Sequence, residues 1–293
     1  MLRFATTSLL AATVALTAAS CGKGWYSSGA LYPVEMDRKF GYIDKTGKLA
    51  INPQFENAGF FAEGTAPVSI GNKWGYIDKE GKIVINPQFD VADPFSNGLA
   101  LVAMNFRYGY IDKAGKIVIN PQYSGAGQFA DGLAPVNVGD RWGFIDKDGK
   151  LAINPQFEEA GNFSDGLALV RVGNRYGYVD KKGKFVIQPQ FDEAGDFSGS
   201  LAQVSVGKKF GYVDTQGKPA ITPQFDNAGD FSDGVASVRV GNRYGYIDKS
   251  GNFVINPQFD EAGEFESGLA PVWMNGRHAY IDKSGKMVWT ARA

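Results

Sequence analysis

Few residues of this sequence could perform catalysis or hold a metal. The 293-residue chain contains one histidine, His278, and one cysteine, Cys21. A nucleophilic triad or a histidine metal site needs an imidazole, and a thiolate cluster or an intramolecular disulfide needs more than one thiol. His278 occupies a position that other parts of the chain fill with an aromatic. The sequence therefore predicts no metal site, no cofactor and no enzymatic activity.

Carboxylates offer a second kind of chemistry. Adjacent acids such as Asp192 with Glu193, and Asp260 with Glu261, could provide the acid and base of a glycosidase. These pairs recur in equivalent segments, so we interpret them as solvated loop acids. The repeated D-K-x-G-K stretch could suggest Ca²⁺, but it sets lysines on both sides of its acid and lacks the alternating oxygen ligands of a Ca²⁺ loop.

The elements that carry these residues repeat along the chain at a constant interval. An aromatic, replaced in the last unit by His278, precedes glycine or alanine at Phe40, Trp74, Tyr108, Trp142, Tyr176, Phe210 and Tyr244. Each unit also has an Asp followed shortly by a Gly, namely Asp44 and Gly47, Asp78 and Gly81, Asp112 and Gly115, Asp146 and Gly149, Asp180 and Gly183, Asp214 and Gly217, Asp248 and Gly251, and Asp282 and Gly285. Such self-similarity predicts a repeat architecture.

The Asp and Gly spacing predicts a structural turn. An Asp at the start of a tight turn accepts backbone N–H groups, and Gly takes a left-handed conformation. "YIDKxGKxVI" is therefore interpreted as a β-hairpin, and an upstream strand such as 133–138 makes each unit a three-stranded antiparallel meander. Eight meanders fit between Leu31 and Trp289. Seven links join them, and Pro257 in one link is expected to end ladder pairing.

The predicted fold is all-β, with the meanders stacked on one another because a 34-residue unit cannot bury enough apolar surface alone. Three strands per unit favour an open β solenoid over the four-stranded blades of common propellers. The alternative is a closed, propeller-like ring of eight units. Phe259 and Phe265 of the links, and their equivalents, are expected to fill the core between units.

One unit departs from the consensus. "AMNFRY" replaces the usual "V-x-V-G-N-R-Y", so the turn glycine is lost. The candidate contact residues are therefore Met104, Asn105, Phe106 and Arg107.

The repeats resemble WG repeats of bacterial proteins, on the aromatic–glycine pair, the "YIDKxGKxVI" hairpin and the "PxFDxAxxFxxGLAxV" continuation. This resemblance implies a β-repeat scaffold, often exported, with no known catalytic residues.

The N-terminus has a different character. Arg3 precedes the apolar run "SLLAATVALTAAS" (8–20), which is of signal-peptide length. Ala18, Ala19, Ser20 and Cys21 resemble a bacterial lipoprotein signal, which implies lipidation of Cys21. The expected organisation is a signal peptide at 1–20, a short tether at 21–30 and a repeat domain at 31–293. The protein is expected to be exported and lipid-anchored to the bacterial cell envelope.

Charge excludes one class of partner. The chain has 30 basic and 31 acidic residues, unlike a nucleic-acid binder. The first functional hypothesis is a non-catalytic scaffold that binds a protein, a peptide or a cell-envelope polymer. The alternatives are a glycan-binding module that uses exposed aromatics, and a carboxylate-dependent hydrolase.

Overall fold

The structure, a computed structural model, describes residues 31–291. Within this range it contains 31 β-strands in eight sheets, and no helix there is long and apolar enough to cross a membrane. The predicted signal peptide, tether and lipidation site at Cys21 lie outside the described residues.

We call the eight sheets blades 1 to 8. The strands of blades 1 to 4 are β1 Leu31–Met36, β2 Lys39–Asp44, β3 Leu49–Phe55; β4 Asn57–Ala58, β5 Ala66–Ile70, β6 Lys73–Ile77, β7 Ile83–Phe89; β8 Val91–Ala92, β9 Ala100–Met104, β10 Arg107–Ile111, β11 Ile117–Tyr123; and β12 Gly125–Ala126, β13 Ala134–Val138, β14 Arg141–Ile145, β15 Leu151–Phe157. The strands of blades 5 to 8 are β16 Glu159–Ser164, β17 Leu167–Val172, β18 Arg175–Val179, β19 Phe185–Phe191; β20 Glu193–Ala194, β21 Leu201–Val206, β22 Lys209–Asp214, β23 Pro219–Phe225; β24 Asn227–Ala228, β25 Val235–Val240, β26 Arg243–Asp248, β27 Phe253–Phe259; and β28 Glu261–Ala262, β29 Leu269–Met274, β30 Arg277–Asp282, β31 Met287–Thr290.

Each blade is an antiparallel meander, and blades 2 to 8 have one strand more than the sequence predicted. The additional strand comes from the link and pairs with the first long strand, as Asn57 does with Ser69 and Ala58 with Val68. The sequence did not reveal it because in most blades it is two residues long. Such a segment carries no alternation of apolar and polar residues.

The expectation that proline ends the ladder is wrong. Pro257 lies inside β27, where pairing of Tyr246 with Ile255 is followed, after a bulge, by pairing of Tyr244 with Phe259. A bulge can place the proline where no ladder hydrogen bond is required from its nitrogen. The strand therefore resumes after the proline.

The core lies between adjacent blades. Tyr42, Ile51 and Phe55 of blade 1, for example, pack with Phe61 and Val68 of blade 2. As predicted, the link phenylalanines fill this core, and Phe259 and Phe265 are each 1% exposed. Each blade thus buries its faces only against its two neighbours.

The blades close into a ring. In most blades a buried tyrosine hydroxyl donates to a backbone carbonyl of the next blade at 2.7–2.9 Å, for example from Tyr42 to Gly59 and from Tyr178 to Gly195. In blade 8 the equivalent Tyr280 donates to the carbonyl of Pro33 in blade 1 at 3.1 Å. The Tyr32 hydroxyl donates to the Ser267 carbonyl in return, at 3.0 Å.

The architecture is therefore a β-propeller of eight blades. The closed ring, the alternative in the sequence prediction, is confirmed, and the open solenoid is not what the chain forms. Tyr32, Val34 and Ile43 of blade 1 share one core cluster with Leu269 and Tyr280 of blade 8.

Strand direction gives the ring two faces. The two-residue hairpin tips, such as 71–72, lie on one face, which we call the tip face. The D-K-x-G-K turns, such as 78–82, lie at the other ends of the strands, on the turn face. In a ring of sheets one edge of every sheet must converge on the axis. In blades 2 to 8 the first strands form this inner edge, since the opposite edge strands carry exposed residues such as Ile83 and Val84.

Candidate functional site

One position of the repeat faces the neighbouring blade at the inner edge. It follows the glycine or aspartate that comes after the first two residues of each first strand, and its residues in blades 2 to 8 are Phe60, Pro94, Gln128, Asn162, Asp196, Asp230 and Glu264. The series therefore runs from apolar through amide to acidic. Because the rest of the unit repeats closely, this position gives the ring a polar and an apolar side.

Two of the acidic side chains, those of Asp196 and Asp230, lie over glycines of the preceding blade. A Cβ placed on Gly195 would lie 2.8 Å from Oδ1 of Asp230, and one placed on Gly161 would collide with Oδ1 of Asp196. A side chain at either glycine would have to displace the neighbouring carboxylate. The inner edges of blades 5 to 7 are thus packed closely through these acids.

A cavity of about 420 Å³ opens along this inner edge. Trp142, Pro135 and Leu169 provide an apolar wall, and Asp196 and Asp230 provide an acidic wall. Its volume is in the range of small-ligand sites. The packing of successive blades creates the cavity, since its lining residues come from blades 4 to 7.

Burial and mutual repulsion raise the pKa values of two of these acids, Asp230 and Glu264. Burial, followed by the charge of Asp196, raises the pKa of Asp230 to about 7. Burial also raises the pKa of Glu264 to about 8, with further contributions from Asp230 and Glu266. Like charges close together disfavour ionisation of each. Oδ1 of Asp230 is also buried without a hydrogen-bond partner among residues 31–291.

Blade 3 adds an acid of its own to the inner edge. Asp93 stands where the other links have glycine, and burial raises its pKa. Gln128 Nε2 of the next blade donates to its carboxylate at 3.4 Å. This contact partly offsets the cost of burial, so Asp93 belongs to the packing between blades 3 and 4.

Of the predicted contact residues, Asn105 and Phe106 form the tip of the β9–β10 hairpin on the tip face, Arg107 begins β10 beside it, and Met104 ends β9 partly buried against the core between blades 2 and 3. Asn105 and Phe106 have φ of 50° and 61°, and the Asn105 N–H donates to the Asp90 carboxylate at 2.7 Å. Phe106 is 94% exposed, more than any other large hydrophobic residue of the described range. The structure therefore holds an aromatic ring in solvent at the end of a hydrogen-bonded turn.

Arg107 is exposed beside Phe106 and lacks the ion-pair partner that its equivalents in blades 2 and 4 to 7 have. In blades 2, 4, 5, 6 and 7 the basic residue at this position pairs with the acid that follows the last strand of the same blade, as Lys73 does with Asp90 at 2.5 Å and Lys209 with Asp226 at 2.6 Å. In blade 3 the residue after the last strand is Ser124, whose hydroxyl donates to Asn137 instead. Arg107 forms no ion pair within residues 31–291.

The predicted turn residues lie on the turn face and perform structural roles. In each turn the Asp carboxylate accepts backbone N–H groups, as Asp78 does from Glu80 at 3.1 Å and Lys82 at 2.8 Å. The eight glycines of these turns have φ of 78–84°, a region that other residues enter at a cost. The lysine that follows this Asp often donates a hydrogen bond to the preceding blade, as Lys181 does to the Asp131 carbonyl.

The acid pairs noted in the sequence are surface residues. Asp192 pairs with Arg175, Asp260 pairs with Arg243, and Glu193 and Glu261 are exposed. The acids that the ring does bring together, Asp196, Asp230 and Glu264, were missed. The signal available was their equivalent position in three successive units, in a part of the repeat that otherwise varies.

His278 lies away from these acids, among aromatics of blade 8. Its ring stacks on Trp273 with centroids 4.5 Å apart, and Nε2 has no hydrogen-bond partner in the described structure. Burial lowers its pKa to about 4, so the imidazole is neutral at pH 7. No group of three or more His, Cys, Asp or Glu residues within 31–291 is arranged to hold a metal.

Comparison with protein families identifies the repeat. The family model described as WG containing repeat matches residues 40–74, 74–105, 108–142, 142–176, 176–210, 210–244 and 244–277. No curated protein matches the chain.

Solved structures share the fold at low identity. A eukaryotic initiation factor matches with a TM-score of 0.58 and 13% identity over 91% of this chain and 85% of that one. Dihydro-heme d1 dehydrogenase NirN matches with a TM-score of 0.59 and 13% identity over 90% and 73%. Hsv2p of Kluyveromyces lactis matches with a TM-score of 0.51 and 10% identity over 74% and 88%. At these identities the likeness shows the fold alone.

Proposed function

The chain belongs to the family of proteins built from the WG containing repeat, and from this premise we propose that it is a non-catalytic scaffold that binds a protein partner on its tip face. A lipid on Cys21 would hold the scaffold at the bacterial cell envelope. The observation that carries the proposal is the blade 3 tip, where Phe106 is 94% exposed beside Arg107.

The chemistry of the tip indicates the partner's surface. An exposed aromatic gains free energy when it enters an apolar pocket, and aromatic and arginine residues are enriched at interface hot spots. Arg107 offers a guanidinium fork that carboxylates can accept. The complementary partner therefore presents an apolar pocket next to an acidic residue.

The glycan-binding alternative has less support. A carbohydrate platform would use a row of exposed aromatics, and only Phe106 and Phe253 are exposed among the aromatics of residues 31–291. Phe106 is at a tip of blade 3, whereas Phe253 is on the outer strand of blade 7. They belong to different faces and form no row.

The hydrolase alternative has one specific observation in its favour. Asp196, Asp230 and Glu264 approach one another at the inner edge, and raised carboxyl pKa values are a property of general acids. Glycan and peptide hydrolysis assays with the Asp230→Asn variant test it. Turnover that this substitution abolishes would replace the scaffold proposal with an enzyme.

Envelope retention is tested separately at Cys21. One acyl chain gives marginal membrane binding and several give stable anchoring. Cell fractionation should therefore find the wild-type protein with the membranes and Cys21→Ala in the soluble fraction. Membrane retention of Cys21→Ala would contradict lipid anchoring without affecting the scaffold proposal.

The partner proposal is tested by capture from envelope extract with matched tip variants. Phe106→Ala and Arg107→Ser should each lose a partner that the wild-type protein retains. Arg175→Ser is the matched control, since Arg175 is the equivalent residue of blade 5 and already pairs with Asp192. Capture that is equal for all variants would show that the blade 3 tip is not the binding site.

A further inference from the structure

The inner-edge cavity combines two unlike walls. Its apolar wall contains Trp142, Pro135 and Leu169, and its acidic wall contains Asp196 and Asp230. Asn162 also lines the cavity and is the blade 5 equivalent of Asp196 and Asp230. No lysine or arginine of the described residues lines the cavity. A ligand that fits both walls must therefore have an apolar body and a hydrogen-bond-donating or cationic end.

The acidic wall contains an acceptor without a donor. Oδ1 of Asp230 is buried with no hydrogen-bond partner in the part of the chain that the structure describes, and it points over Gly195 at the inner edge. Leaving a buried carboxylate oxygen unsatisfied is costly. A bound donor would remove this cost.

The chemistry of the acidic wall indicates which kind of donor group the cavity can bind. No group of three or more potential ligands within residues 31–291 suits a metal ion. An ammonium has three N–H donors and no acceptor, so it matches a wall of acceptors, and its alkyl chain can lie along the apolar wall. We propose that this cavity binds a ligand that carries a protonated primary amine at the end of an apolar chain, as in a lysine side chain or an alkyl diamine.

The titration of the acids agrees with this geometry. The groups facing Asp230 are Asp196 and Glu264, together with the tyrosines Tyr178 and Tyr212, and Glu266 lies beyond Glu264. The pKa of Asp230 is raised to about 7 and that of Glu264 to about 8. A bound ammonium favours their ionised forms, so binding should strengthen as the pH rises from 6 to about 8.

Titration calorimetry with the mature protein tests the proposal. At pH 8 we expect 1-aminohexane to bind at least about tenfold more tightly than 1-hexanol. Asp230→Asn and Trp142→Ala should each weaken 1-aminohexane about tenfold or more. Asp148→Asn, which removes one charge from an exposed turn, is the matched control and should leave affinity unchanged. Circular dichroism establishes that the variants are folded.

The two sources of an amine are separated by the probes. Tighter binding of 1,5-diaminopentane would indicate a free amine ligand, and tighter binding of a peptide with an internal lysine would indicate a protein side chain. Equal affinity for 1-aminohexane and 1-hexanol, no binding of either, or an Asp230→Asn variant with wild-type affinity would overturn the proposal. Phe106→Ala should leave amine binding unchanged, so this test is independent of the tip-face partner.

Discussion

The glycine of the aromatic–glycine pair is explained at the scale of single atoms. A Cβ on Gly75 would lie 2.7 Å from the nitrogen of Pro87, because the bulge of β7 packs directly on this backbone. Blade 8 has Ala279 at the equivalent position, and there β31 pairs without that bulge, Ala279 facing Thr290 directly. The last unit therefore tolerates a side chain that the bulged strands exclude.

This contact predicts the effect of a single methyl group. Gly75→Ala should lower the free energy of unfolding by about 3 kcal/mol, since the obstacle is backbone and cannot rotate away. Ala279→Gly is the control and should cost about 1 kcal/mol or less through backbone entropy. Urea denaturation measures both, and equal midpoints for the two variants would contradict this account.

The acids of the inner edge predict a pH dependence of stability. The pKa of Asp230 is about 7 in the folded protein and near 3.8 in the unfolded chain. Between these values the folded state holds a proton that the unfolded state has released. Stability therefore falls as the pH rises through this window.

Asp230→Asn should remove this loss of stability with rising pH, because the amide does not titrate. Its melting temperature should match the wild type near pH 3.5 and exceed it by an amount that grows up to about pH 7, reaching on the order of 10 °C at pH 8. His278, with a pKa lowered to about 4, acts in the opposite direction below pH 6.5 in both proteins. A difference in melting temperature that does not change with pH would show that Asp230 titrates normally.

At the scale of elements, the β9–β10 hairpin has an unfavourable residue at its tip. Two-residue turns of this kind need φ above zero at both positions and favour Asn-Gly. Blade 8 has Asn275 and Gly276 there, whereas blade 3 has Asn105 and Phe106, with Phe106 at φ of 61°. A left-handed conformation costs a bulky residue free energy.

Phe106→Gly should therefore stabilise the protein by about 1 kcal/mol while it abolishes capture of the tip-face partner. Thermal unfolding and the capture assay measure the two effects on the same variant. Gly276→Ala in blade 8 is the reciprocal control and should destabilise. A Phe106→Gly variant that is less stable than wild type would indicate that the ring packs on the protein rather than on a partner.

At the scale of the whole molecule, blades 1 and 8 pack against each other and so close the ring. Tyr280 has no exposed surface, and its ring lies 5.7 Å from that of Tyr32 between blades 8 and 1. Tyr178 holds the equivalent position between blades 5 and 6. The closing interface is thus built like the internal ones.

Tyr280→Ala should consequently cost about 3 to 5 kcal/mol, as Tyr178→Ala should, because each removes a buried aromatic from an interface. In an open array the terminal unit would unfold alone, and Tyr280→Ala would cost much less. Chemical denaturation of both variants gives the comparison. A small effect at Tyr280 with a large one at Tyr178 would contradict ring closure in solution.

Much of the fold and one candidate site can be derived from residues close together in the sequence. The turn at Asp78 and Gly81 depends on hydrogen bonds within the turn itself, so its chemistry is readable from the spacing. The tip at Phe106 is recognisable because one unit departs from a pattern that the other units share. The short strand at Asn57 and the bulge at Pro257 were missed because their pairing partners are set by the whole blade.

The sequence by itself determined an all-β chain of eight equal units with Asp-Gly turns, because these properties follow from local chemistry and from repetition. Only the tertiary structure decided that the ring closes and that Asp196, Asp230 and Glu264 meet. Closure depends on a small rotation between successive blades, which no single unit encodes, and on the match between Tyr32 and Ser267 at its ends. The acids meet because that rotation brings equivalent positions of successive units to one inner edge.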